Sequence, residues 1–139
     1  MPSAAASYRQ GLSDLIGSER LSYRGTAAEF RESLRETLDQ LAPDADVEAQ
    51  AWYKPEDGQK KPTMKQKARY ILTSRGRNKT QRDSAEKMLK LIDELSGEVM
   101  RAVYNRASLA THIHQSKGEV QKIKRYVDTV LFDLLEIVP

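Results

Sequence analysis

Residues Val99 to Glu119 read V-M-R-A-V-Y-N-R-A-S-L-A-T-H-I-H-Q-S-K-G-E. The stretch reads as helix, break, helix, and that reading decides the fold. Val99 and Val103 continue an apolar stripe from upstream, so a long helix ends here. Ser116 with Glu119 three residues on is a capping-box pattern, so the next helix is predicted to begin at Ser116. His112 and His114, the only two histidines, fall between, and so does Arg106.

Upstream, Met88, Ile92, Leu95, Val99 and Val103 keep helical spacing and predict a helix over 81–107, capped by Thr80 with Asp83. Downstream, Val120, Ile123, Val127, Val130, Leu131, Leu134 and Ile137 predict a helix over 117–137. Burying such a stripe is worth on the order of 10 kcal/mol gross, so this helix is core.

Farther out, Thr63 with Gln66 opens a short helix to Ser74, closed by Gly76, with Met64, Ala68 and Ile71 inward. Phe30, Leu34, Leu38 and Leu41 form one stripe of a helix over 21–41, ended by Pro43; Thr26 with Glu29 caps it if it starts late. Tyr8, Leu12, Leu15 and Ile16 share a side of a first helix over 4–16, stopped by Gly17. Residues 43–62, rich in Asp, Pro and Gly, read as an irregular loop that Trp52 pins to the core. Nothing reads as a strand. The expectation is one all-α domain over 1–139, an antiparallel bundle of four to five helices. Its predicted core is Leu34, Leu38, Ile92, Leu95, Val99, Val103, Val127, Val130, Leu131 and Leu134.

The composition is that of a globular domain, with 39% hydrophobic and 31% charged residues. No apolar run approaches the ~20 residues of a membrane span, and residues 1–20 lack a signal-peptide core, so no membrane partner is expected. The absence of cysteine removes disulfides, thiolate metal sites and cysteine nucleophiles, and makes a cytoplasmic address the natural one. There is no H-E-x-x-H and no G-x-S-x-G, and residues 73–80 lack the glycines of a phosphate loop. No metal and no cofactor is expected.

Charge is uneven along the chain. Residues 1–50 hold five arginines and nine acids, whereas 58–82 hold nine lysines and arginines and no acid. Lys60, Lys61, Lys65, Lys67, Arg69, Arg75, Arg77 and Lys79 are therefore candidate nucleic-acid contacts, with RNA as the expected partner. The competing reading of that block is a solvated lysine-rich helix face.

The chemistry that suits Arg106 and His112 is RNA cleavage by internal transesterification. A base removes the 2′-hydroxyl proton, an acid protonates the leaving 5′-oxygen, and a fixed cation stabilises charge on phosphorus. Histidine titrates near neutrality and suits the first two roles. The planar fork of arginine suits the third. Tyr104 and Asn105 are the supporting candidates. Six residues of unbroken helix turn about 600°, so the pair converges only if the helix ends or kinks near Ser108 to Thr111.

The arrangement R-A-S-L-A-T-H over 106–112, ahead of a terminal helix, resembles the HEPN family (higher eukaryotes and prokaryotes nucleotide-binding), whose motif is Arg, four to six residues, His. The stretches Y-R-G-T-A-A-E-F-R-E-S-L-R-E-T-L from Tyr23, K-P-T-M-K-Q-K-A-R-Y-I-L from Lys61 and Y-N-R-A-S-L-A-T-H from Tyr104 resemble the bacterial domain called predicted pPIWI-associating nuclease, from about Leu21 onward. The resemblance implies a HEPN-like bundle and a metal-independent ribonuclease leaving 2′,3′-cyclic phosphate. It also implies a homodimer or a partner defence protein, and a place in phage defence or toxin action. Carried over, Arg106 holds the phosphate and His112 is acid or base, with the second such group supplied by another chain across a two-fold axis. Many HEPN members carry a polar residue directly after the Arg. Ala107 stands there in this chain, and Asn105 is the nearest substitute. His114 has no counterpart and reads as a bystander. The alternative is a non-catalytic helical module that binds nucleic acid through 58–82, or binds a protein.

Overall fold

The apolar stripes become helices that pack around α2. The structure is a computed structural model describing residues 2–17, 23–101 and 109–137, with backbone alone for Arg24, Met100, Arg101 and 109–116. Among these residues there are six helices and no strand: α1 (Pro2–Ile16), α2 (Arg24–Leu41), α3 (Asp44–Glu48), α4 (Met64–Ser74), α5 (Lys79–Arg101) and α6 (Leu109–Leu135). The fold is all-α, as the periodicity predicts. α2 touches α1, α4, α5 and α6, and buries Ala27, Phe30, Leu34 and Leu38 completely. α5 adds Leu89, Ile92 and Val99, and α6 adds Val120, Ile123, Val127, Val130 and Leu134. Of the predicted core, Leu95 and Leu131 are only partly buried, and Val103 lies outside the described residues.

Gly11 sets how closely α1 approaches α2. A Cβ there would sit 2.8 Å from Phe30 Cζ, so the ring rests on α1 only because the side chain is missing. Tyr8 meets the same ring edge-on at 5.5 Å.

The α4 ends form as predicted. Gln66 N–H donates to Thr63 Oγ1 (3.3 Å), and Thr63 N–H donates to Gln66 Oε1 (2.9 Å). Gly76 closes the helix at φ +71°, where a Cβ is strained.

Elsewhere the boundaries are corrected. Asn78 and Gln81, not Thr80 and Asp83, make the reciprocal cap of α5, at 2.9 and 3.0 Å. Asn and Thr both cap well, so the pattern alone did not choose between two registers. Thr26 is buried inside α2 and donates to Asp14 Oδ2 at 3.2 Å, so it is no cap. The predicted loop 43–62 contains α3, whose acids Asp44 and Asp46 suit a helix start and whose Val47 is fully buried. Ile16 (84% exposed) and Ile137 (48% exposed) leave their predicted inward faces. Ile16 is the last residue of α1, and Ile137 follows the end of α6, where Glu136 adopts φ +56°.

The largest correction concerns the opening stretch. α6 starts by Leu109, so Ser116 and Glu119 lie inside it. A capping box is a local pattern and cannot distinguish a first turn from an interior one; serine is tolerated in both. The predicted end of the preceding helix at 107 lies outside the described residues. α5 and α6 pack along one another, with Glu98 close to Glu119.

Candidate functional site

Tyr104, Asn105, Arg106 and Ala107 lie outside the described residues. They belong to the stretch joining Arg101, the last residue of α5, to Leu109, the first of α6. Positions 112 and 114 lie within α6. Where α5 and α6 pack together, burial and then the charge of Glu98 push the Glu119 carboxyl above its ordinary range.

The basic block lies at the other half of the bundle. α4 runs back along α5, with Lys65 lining the same pocket as Glu86. From Lys90 to Arg101 the axis of α5 advances roughly 16 Å. Lys61 and Lys65 line one groove with Lys90, so they stand on the order of 20 Å from the end of α5 at Arg101.

The block divides by environment. Lys67, counted among the surface cations from sequence, is buried (5% exposed), with its Nζ 2.8 Å from Asp39 Oδ1 and 2.7 Å from Asp44 Oδ1. Burial pulls its pKa down, but the two carboxylate bonds outweigh that and the net direction is up. It is a structural cation that ties α4 to α2 and α3. Sequence alone missed this because the partners are distant in the chain. Arg75 Nη1 lies 3.4 Å from Glu136 Oε1. Lys60, Lys61, Lys65 and Lys79 are exposed and Arg77 is half-exposed; none is in an ion pair among the described residues.

Arg69 is different again. Its Cζ sits 4.3 Å from the centroid of the Trp52 ring, and it has no carboxylate partner among the described residues. Trp52 is half-buried and packs against the core, which matches its expected pinning role. The pairing was legible only as an aromatic inside a basic region.

Two further sites were not read from sequence. A groove of about 860 Å³ is lined by Arg31, Arg35, Lys61 and Lys67 but also by Asp39, Asp44, Asp93 and Glu94. Arg31 is paired with Asp93, and Arg35 with Glu32 and Asp39, so its charges are largely satisfied internally. An apolar groove of about 650 Å³ runs between α1, α2 and α6. At its wall the Tyr8 hydroxyl donates to Asp128 Oδ1 at 2.5 Å, and Lys124 Nζ donates to Asp128 Oδ2 at 2.6 Å. Burial, then the bond to Asp128, raises the Tyr8 pKa, so this network is a neutral-tyrosine latch of α1 onto α6.

Among the described residues no group of three or more His, Asp or Glu is placed to hold a metal ion, and no helix is long and apolar enough to cross a membrane. No curated protein and no solved structure matches the chain. A family model described as predicted pPIWI-associating nuclease matches residues 3–134, from the first turn of α1 to the last turn of α6. With nearly the whole bundle matched, this chain belongs to the family of predicted pPIWI-associating nucleases.

Proposed function

We propose that the chain is a metal-independent endoribonuclease of HEPN type, with Arg106 and His112 acting on one RNA phosphate. Membership in a family named for a predicted nuclease supports nucleic acid as the substrate. The observation that carries the assignment is the packing of α5 along α6 as two separate helices, one described to Arg101 and the other from Leu109. A continuous helix would set positions 106 and 112 about 600° apart, on different sides; two helices packed on each other remove that obstacle.

In this reading His112 moves the proton and Arg106 holds two phosphate oxygens. Tyr104 and Asn105 line the approach. The second acid or base comes from a second copy across a two-fold axis, and the free cations Lys60, Lys61, Lys65, Arg77 and Lys79 hold the strand several nucleotides away. Action in phage defence, or as a toxin, beside a partner protein belongs to the same proposal. The test incubates purified protein with labelled RNA in EDTA. Cleavage by wild type and none by His112→Ala is the expected result. Full activity in His112→Ala, or inhibition by EDTA, overturns the assignment.

A further inference from the structure

We propose that Trp52 and Arg69 form a nucleobase-stacking subsite, a pocket that takes one base of a single strand. It rests on the reading that nucleic acid is the substrate, and adds a site apart from the α5–α6 junction. The pocket has a volume of about 360 Å³ and is lined by Trp52, Lys54, Lys65, Gln66, Arg69 and Glu86 among others. The Arg69 guanidinium lies over the indole at 4.3 Å. Guanidinium and indole faces are the two surfaces on which unstacked bases rest in single-strand readers. No carboxylate forms an ion pair with Arg69, Lys54 or Lys65 among the described residues, although Glu56 and Glu86 line the same pocket. A structural arginine in such a place takes the carboxylate, as Arg75 takes Glu136.

The pocket is built in advance. Gln66 receives the Thr63 N–H on its Oε1 and donates from its Nε2 to the Lys54 carbonyl at 2.8 Å. One side chain thus caps α4 and fixes the loop that carries Trp52, so little ordering accompanies binding. The chemistry is mixed rather than purely basic. Lys54 and Lys65 suit flanking phosphates, and Glu86 accepts from the amino or imino groups of a base edge. A bare polyanion channel would exclude that carboxylate.

Trp52 is the single tryptophan, so its fluorescence reports this pocket alone. The experiment titrates the full chain with a short uncleavable 2′-O-methyl RNA and with an abasic strand of the same length and charge. Saturable change of Trp52 emission with the base-bearing strand, and none with the abasic one, is expected. Trp52→Ala should weaken binding about 5–150-fold without altering the salt slope. Trp52→Phe should keep the fold by circular dichroism and retain part of the affinity, which guards against a merely unfolded variant. Arg69→Gln should weaken binding and flatten the salt slope by about 0.7. Salt-dependent binding with unchanged Trp52 emission, or equal affinity for the abasic strand, overturns the subsite. RNA cleavage measured beside it decides the nuclease reading separately, since the strand used for binding cannot be cut through its 2′ position.

Discussion

α5 packs on both α4 and α6, and the two junctions that flank it differ in their residues. Between α4 and α5 lie Arg75 to Asn78, with Gly76 at φ +71° and a reciprocal Asn78–Gln81 cap. Gly76 and Asn78 there have conformational tasks, while Arg75 pairs with Glu136 and Arg77 is half-exposed. Between α5 and α6 the sequence A-V-Y-N-R-A-S contains neither glycine nor proline. Its polar residues are an arginine, an asparagine, a tyrosine and a serine, the types that bind and move charge. Residue types suited to chemistry gather at this second junction, and we look for function there.

The largest expected effect separates the junctions by activity. His112→Ala and Arg106→Ala should each lower the RNA cleavage rate about 10²–10⁴-fold with an unchanged thermal melt. Arg77→Gln at the other junction should leave the turnover at saturating RNA within a few-fold. Equal losses at both ends would erase the distinction.

Stability should behave the other way. Lys67→Ala leaves Asp39 and Asp44 without their shared cation. Because those carboxylates are about two-fifths exposed, the cost should be about 1–3 kcal/mol rather than that of a fully buried pair. Lys65→Ala, two residues earlier on an exposed face, should fall within about 0.5 kcal/mol in the same denaturant melt. The Lys67 pKa is raised in the fold, so its contribution is complete below the ordinary lysine value of 10.5 and is lost as pH rises through the raised value. The wild-type minus Lys67→Ala difference should therefore stay constant from about pH 7 to 9 and shrink only in strong alkali.

Glycines sharpen the contrast at smaller scale. Gly76→Ala forces a Cβ into left-handed backbone and should cost about 1–2 kcal/mol. Gly118 lies inside α6 with open space around it, so Gly118→Ala should stabilise by about 0.5–1 kcal/mol. Ser116→Ala should be neutral or slightly stabilising in a helix interior, against a loss of about 1 kcal/mol at a helix start. A loss of that size by thermal melt would restore Ser116 as the beginning of α6.

What was legible in the sequence follows from range. The stripes of α2, α5 and α6 and the Thr63–Gln66 box depend on residues within one or two turns; the box and most of each stripe match the structure, Ile137 leaves its face, and Val103 lies outside the described residues. Asn78–Gln81 and Ser116–Glu119 are equally local but ambiguous in register, so one helix start shifted by two residues and another moved back to Leu109 or beyond. The role of Lys67 depends on Asp39 and Asp44, more than twenty residues away, and no periodicity encodes that. The Trp52–Arg69 pair spans a loop and a helix and was visible only as an aromatic near basic residues. Arg106 and His112 are proposed from residue types and from the resemblance, and both lie outside the residues whose side chains the structure describes.

The most direct measurement uses an RNA with one preferred cleavage position and its twin carrying a single 2′-deoxynucleotide there, both in EDTA. Internal transesterification requires the 2′-hydroxyl as nucleophile. The all-ribose strand should be cut to a 2′,3′-cyclic phosphate and the twin should stay intact at that position, with both strands intact in His112→Ala. Cutting of the deoxy-substituted strand at the same position, or products with a simple 3′-hydroxyl, would contradict the Arg106–His112 mechanism.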